Sequence, residues 1–208
     1  MENSSPFTTW HVKEAVFKED RLLIGGHQVM MAWEAPYMHR LVSQLLSHTS
    51  GDILEIGFGM GIAATEIQRL GVNSHTIIEP HPDVWARALA WKTARASSEI
   101  TVVQDYWQNL TARGMKYDGI FFDTYFPSNR PEDVDRYRFQ FIQAASEIFL
   151  KPGGALTLYY IRPCLEPACQ EQLLRYFSRI VLERMEIFPP ADCEYTDLRY
   201  APCLLAIK

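Results

Sequence analysis

The spacing of apolar residues changes abruptly several times along the chain, and each change predicts an element. From Pro36 onward Met38, Leu41, Val42, Leu45 and Leu46 return every three or four positions, the repeat of a helix with one buried stripe, which should stop before Ser50-Gly51. Ile53-Leu54-Glu55-Ile56 is read as a short strand. The turn Gly57-Phe58-Gly59-Met60-Gly61 then leads into a helix over 62–70 that Gly71 ends. Further strands are predicted at 76–79, 100–103, 117–123, 155–160, 180–187 and 198–207, with helices at 83–93, 131–150 and 166–177 between them. Lys151-Pro152-Gly153-Gly154 reads as the turn into the 155–160 strand. The first thirty residues keep no steady period and read as an irregular or partly helical arm with a turn at Gly25-Gly26.

Strands alternating with helices of this length imply an α/β fold: a mostly parallel, Rossmann-like sheet of seven strands with helices on both faces. Right-handed crossovers bring the loops after the first, second and fourth strands to one carboxyl edge, where open α/β sheets bind ligands. No repeat or low-complexity linker divides the chain. It is read as one domain, with 1–35 as an N-terminal arm or lid and 36–208 as the core.

Composition narrows the partners. A formal charge of −5 without any Lys/Arg run argues against nucleic acid and anionic membranes. No apolar run approaches membrane-spanning length, and residues 1–20 lack the apolar centre of a secretory leader. Cys164, Cys169, Cys193 and Cys203 form no paired ligand motif, so no metal is expected, and a reducing, cytoplasmic setting suits them.

The chemistry concentrates at Glu55-Ile56-Gly57-Phe58-Gly59-Met60-Gly61, an E-x-G-x-G-x-G run on a strand–turn–helix. Glycines there allow close backbone approach, and the helix start offers free N–H groups to an anion. A plain tight turn is the competing reading. Two features favour S-adenosylmethionine over NAD. Ile62 stands where a dinucleotide site wants its third glycine, and Glu79 ends the second strand, where a carboxylate meets ribose hydroxyls. With Glu55, this resembles motif I of class I methyltransferases.

A narrower likeness follows. Val29-Met30-Met31-Ala32-Trp33-Glu34-Ala35-Pro36-Tyr37-Met38-His39 resembles the V-M-x-x-W-E-x-P-Y-M-H segment of guanidinoacetate N-methyltransferases. Ile56-Gly57-Phe58-Gly59-Met60-Gly61-Ile62, Asp118-Gly119-Ile120-Phe121-Phe122-Asp123-Thr124-Tyr125 and Pro189-Pro190-Ala191-Asp192-Cys193 are similar to that family too. Other details, among them Ile78-Glu79-Pro80-His81-Pro82-Asp83, lean toward the related δ-type arginine methyltransferases. The resemblance implies a methyltransferase acting on a guanidine nitrogen of a small molecule. It assigns the cofactor to Trp10, Met30, Met38, Gly57, Gly59, Met60, Gly61, Ile62, Glu79, Tyr106, Trp107 and Asp123, and the acceptor and catalysis to Glu34 and Asp123. The departure is Ile161-Arg162-Pro163, where the guanidinoacetate enzymes are expected to carry small hydroxyl residues. Arg162 is therefore expected to meet an acceptor carboxylate, against the plainer alternative of a surface pair with Glu166.

Individually these residues have duller readings. Glu34 before Pro36 suits a helix N-terminus, Trp10, Tyr106 and Trp107 suit a core, and His81 suits solvent. The pair of carboxylates fits the proposed reaction. Forming a neutral guanidine at pH 7 costs roughly 7 kcal/mol, about five pKa units. Two acids can orient the planar cation, offset its charge, and receive a proton as the C–N bond forms, with Asp123 the preferred acceptor. Free arginine and peptide arginine are the competing acceptors. A non-catalytic adenosylmethionine-binding protein and an NAD module are the competing classes.

Overall fold

The computed structural model describes residues 10–95, 99–128 and 130–208. Seven strands form one sheet: β4 (Asp52–Ile56), β5 (Ser74–Ile78), β6 (Ile100–Val103), β7 (Tyr117–Phe122), β8 (Leu150–Leu158), β9 (Arg179–Glu186) and β10 (Tyr200–Ile207). Their spatial order is β6-β5-β4-β7-β8-β10-β9, parallel from β6 through β8 and antiparallel where β10 meets β8 and β9. The strand order reverses at β4, which opens a crevice above its carboxyl end.

The central strands are apolar at successive positions because both faces are covered. Ile53, Phe121 and Leu205 enter a core with α1 (Ala35–His48), α2 (Ile62–Leu70) and α3 (Pro82–Thr93). Leu54, Phe122 and Leu204 enter the opposite core with α4 (Pro131–Ala144) and α5 (Pro167–Tyr176). Core positions such as Leu41, Leu45, Ile120 and Phe141 are fully shielded.

Two expectations are corrected. In the described part of the arm a short helical turn, Trp10–Val12, is followed not by irregular chain but by β1 (Ala15–Phe17), β2 (Arg21–Ile24) and β3 (His27–Met31), which make a separate antiparallel sheet. The predicted turn is its hairpin, with Gly25 and Gly26 at φ of 57° and 83°, the positive values a two-residue hairpin of matching twist requires. Leu22, Ile24 and Met30 turn into the first core, so the arm is docked on the main body by apolar burial. Lys151-Pro152-Gly153-Gly154 does not precede β8 but lies within it as a bulge. Tyr117 pairs with Leu150 and Gly119 with Ala155, so the extra residues loop out of register, with Gly153 at positive φ. No helix among the described residues is long and apolar enough to cross a membrane, and no three potential metal ligands gather there.

Candidate active site

A cleft of about 660 Å³, counting the part open to solvent, lies at the carboxyl edge of β4, β5 and β7 and under the arm. Its floor is the glycine turn. Gly57 has φ +90°, and a Cβ there would lie 1.9 Å from the main-chain oxygen of Asp123, so no side chain fits. Gly59, at φ +54°, faces Met30, whose Sδ would be 2.7 Å from an added Cβ and which receives the Met60 N–H at 3.2 Å. Gly61 is the left-handed residue that opens α2, with Phe58 packed against it.

Glu79 is buried at the end of β5. Phe58 N–H donates to its Oε2 at 3.0 Å and His81 N–H to its Oε1 at 2.8 Å. Burial nevertheless lifts its carboxyl to about 7, the backbone donors opposing that rise. Each oxygen keeps acceptor capacity for a hydroxyl. Trp10, Tyr106 and Trp107 add apolar wall. Trp10 stacks on Tyr125 with centroids 4.6 Å apart, while the Trp107 indole N–H donates to the Tyr137 hydroxyl at 2.8 Å and its ring meets Phe141 edge-on. Trp107 is thus both a core aromatic and a cleft wall.

Asp123 follows β7. Its Oδ2 is buried and has no hydrogen-bond partner among the described residues. Burial first, then the charges of Glu34, Glu55 and Glu79, push its carboxyl well above the usual carboxylate range. Glu34, 2 % exposed, lies close enough to act on Asp123 electrostatically. Its Oε1 accepts from Met31 N–H at 2.7 Å and from the Tyr195 hydroxyl. Burial raises the Glu34 carboxyl and these donors resist the rise. The buried Tyr159 hydroxyl also influences Glu34 but completes no hydrogen bond among the described residues. An acid with one unpaired oxygen, within electrostatic reach of a second buried acid, has the chemistry to receive a cation with several N–H donors.

The expected residues divide. Trp10, Met30, Gly57, Gly59, Glu79, Tyr106, Trp107 and Asp123 line the cleft. Met60, Gly61 and Ile62 shape the turn and the start of α2 without lining it, and Met38 is buried in the core beside α2 and α3. Glu34 is buried and is not among the residues that line this cleft, but its charge acts on Asp123. Arg162 is not brought to the cleft: its guanidinium lies 3.8 Å from both Asp135 and Glu166, the surface pairing that was the plainer alternative. Glu55 also points elsewhere, with Oε2 2.8 Å from the Nε2 of fully buried His75. His81 is not solvated but 1 % exposed. Sequence reasoning missed Tyr159 and Tyr195. Tyr195 sits two residues after the Pro189–Cys193 motif, the only signal that marked its segment.

Residues 2–164 match the family described as guanidinoacetate N-methyltransferase. Among curated proteins, the protein arginine N-methyltransferase 2 of Aspergillus fumigatus is 37 % identical over 54 % of this chain and 27 % of its own length. The protein of that name from Kluyveromyces lactis is 37 % identical over 69 % of this chain and 35 % of its own. The chain therefore spans only about a third or less of these relatives. Among solved structures, spermidine synthase from Thermotoga maritima superposes with a TM-score of 0.63 at 16 % identity, covering 90 % of this chain and 64 % of that one. A precorrin-6y C5,15-methyltransferase from Geobacter metallireducens gives 0.61 at 14 % identity, over 82 % and 87 %. These likenesses concern the fold.

Proposed function

Because the chain belongs to the guanidinoacetate N-methyltransferase family, we propose that it methylates a guanidine nitrogen of a small molecule, using S-adenosylmethionine. The observation that carries this reading is the unpartnered, buried Asp123 Oδ2 beside buried Glu34. The residues fit the cofactor: a glycine cradle where Cβ atoms would clash, a buried Glu79 carboxylate with spare acceptor capacity, and aromatic walls. Gly57 and Gly59 would meet its amino-acid part, Glu79 its ribose hydroxyls, and Trp10, Tyr106 and Trp107 its base. When bound, it supplies an electrophilic sulfonium methyl.

The protein's part is orientation and proton movement. Glu34 Oε1 already takes two donors, so Glu34 offers an acceptor chiefly Oε2, and Asp123 offers Oδ2. One oxygen from each acid fixes the guanidinium plane. Asp123, whose proton affinity is raised by burial and by three neighbouring acids, takes the proton from the attacking nitrogen as the C–N bond forms. The methylated product keeps its cationic charge, and the proton leaves from Asp123.

One observation favours a second reading. No basic side chain lines the cleft among the described residues, and Arg162 is paired elsewhere, so the cleft wall itself offers an acceptor carboxylate no cation. An arginine side chain within a peptide lacks that carboxylate, and the curated relatives are named for protein arginine. The test is adenosylhomocysteine release with guanidinoacetate, free arginine, agmatine and an arginine peptide. Turnover on guanidinoacetate or arginine supports the first reading; turnover on the peptide alone replaces it with the second. Turnover on none rejects guanidine methylation.

A further inference from the structure

His81 stands between the arm and the cleft. Its main-chain N–H donates to Glu79 Oε1 at 2.8 Å. Its ring does two other things: Nε2 lies 2.8 Å from the Lys13 carbonyl oxygen in the arm, and Nδ1 receives the Asp83 N–H at 3.3 Å, capping α3. Both ring nitrogens are satisfied only when the proton sits on Nε2, which donates to Lys13 and leaves Nδ1 as the acceptor. The ring also meets Trp10 edge-on, with centroids 6.2 Å apart. The start of α3 holds the arm at two further points. Asp83 Oδ2 accepts from Ala15 N–H at 3.2 Å, and the Arg87 guanidinium lies 4.4 Å over the Phe17 ring.

We propose that His81 is a positioning residue that couples docking of the arm to the readiness of the cleft. One residue grips Glu79 through its backbone and the arm through its ring, while Trp10, carried by the arm, lines the same cleft as Glu79. A ligand touching both Glu79 and Trp10 binds fully only to the docked form, so its apparent affinity scales with the fraction docked. This rests on the reading of the cleft as an S-adenosylmethionine site.

Two variants separate the ring's duties. His81→Asn keeps a short side-chain oxygen that can cap Asp83 N–H but does not reach Lys13. His81→Gln is long enough to donate to the Lys13 carbonyl and gives up the cap. In the ligand-free protein, hydrogen exchange across 13–24 should be about tenfold faster in His81→Asn, with exchange in β4 and β7 unchanged. Adenosylhomocysteine should bind about three- to tenfold more weakly, as for one lost hydrogen bond, and His81→Gln should recover most of the arm protection. Unchanged arm exchange in His81→Asn overturns the contact itself. Faster exchange with unaltered adenosylhomocysteine affinity overturns the coupling. A wild-type protein that binds no adenosylhomocysteine overturns the cofactor reading, while arm exchange still reports on the contact.

Discussion

The main chain of Asp123 occupies the space that a side chain on Gly57 would need, with its carbonyl oxygen 1.9 Å from where the Cβ would sit. The Asp123 N–H in turn donates to Ile56 O at 3.0 Å, so β4 and β7 are locked together at the mouth of the cleft. The glycine turn and Asp123 are therefore one structural unit. Gly57→Ala should displace both, costing at least about 2 kcal/mol through positive φ and overlap with backbone. Thermal melting measures the loss, and adenosylhomocysteine titration should show binding lost with it. A variant that melts and binds like wild type would show that this junction yields freely.

On the proposed reading, Asp123 gives up stability for its role as proton acceptor. Its carboxyl is raised by burial and by Glu34, Glu55 and Glu79, so its ionisation at neutral pH works against the folded state. The stability of the protonated form is complete at low pH and is lost as pH rises through the elevated folded value. Asp123→Asn should remove that liability and raise the melting temperature at pH 7.5 by about 2–5 °C. Turnover should fall by roughly two or more decades, because the proton acceptor is gone. Stability unchanged between pH 5 and 8 in both proteins would contradict the first half, and retained turnover the second.

If Glu79 holds the cofactor ribose as proposed, cofactor affinity should depend on pH. Its carboxyl stands at about 7 against an ordinary 4.5, so the folded protein keeps a proton that the unfolded chain has released. That contribution to stability is full below about 4.5 and disappears as pH climbs through about 7. Ribose hydroxyls donate to the ionised form, so binding should expel the proton. Adenosylhomocysteine should then bind about tenfold more tightly at pH 8 than at pH 6. Calorimetry in buffers of different ionisation heat should detect proton release near pH 7, and Glu79→Gln should abolish its Glu79 component. A flat affinity profile in the wild type would separate Glu79 from the ligand.

Tyr195 governs how Glu34 presents itself, reaching back 161 positions to donate to Oε1 while its ring stacks on Trp33. Its loop is gripped by Gln28, whose amide donates to Asp192 O at 2.8 Å and accepts Glu194 N–H at 2.9 Å, and by the Arg21–Asp192 ion pair. Tyr195→Phe should raise the acceptor KM about three- to tenfold, the effect of one ordinary hydrogen bond, and leave adenosylhomocysteine affinity nearly intact. Equal losses for acceptor and cofactor would mean that the loop, not the hydroxyl, is what matters.

Arg162→Ala should change guanidinoacetate and agmatine kinetics alike, because its guanidinium is engaged by Asp135 and Glu166 and not by the cleft. A selective rise in KM for guanidinoacetate would show that those weak pairs open and that Arg162 does recognise a carboxylate.

The parallel core was legible from local pattern, since buried strands and amphipathic helices write their periods into the residues themselves. The helix over 62–70 and the strand over 100–103 are found at those bounds, and the glycine turn, Glu79 and Asp123 arrive at one edge by the handedness of the crossovers. The arm was not legible, because strands of three to five residues are too short to establish a period and are stabilised by docking Leu22, Ile24 and Met30 on a distant core. The fates of His81, Arg162 and Tyr195 depended on partners that no spacing rule specifies. His81 is buried because the arm returns over it, Arg162 is withdrawn because Asp135 on α4 comes within reach, and Tyr195 meets Glu34 only because the β9–β10 connection folds back on β3. Residue chemistry and local period determined which groups could hold a guanidine and a nucleoside. Long-range packing decided which of them face the cleft, because a side chain's solvation and charge environment are set by neighbours far away in the chain.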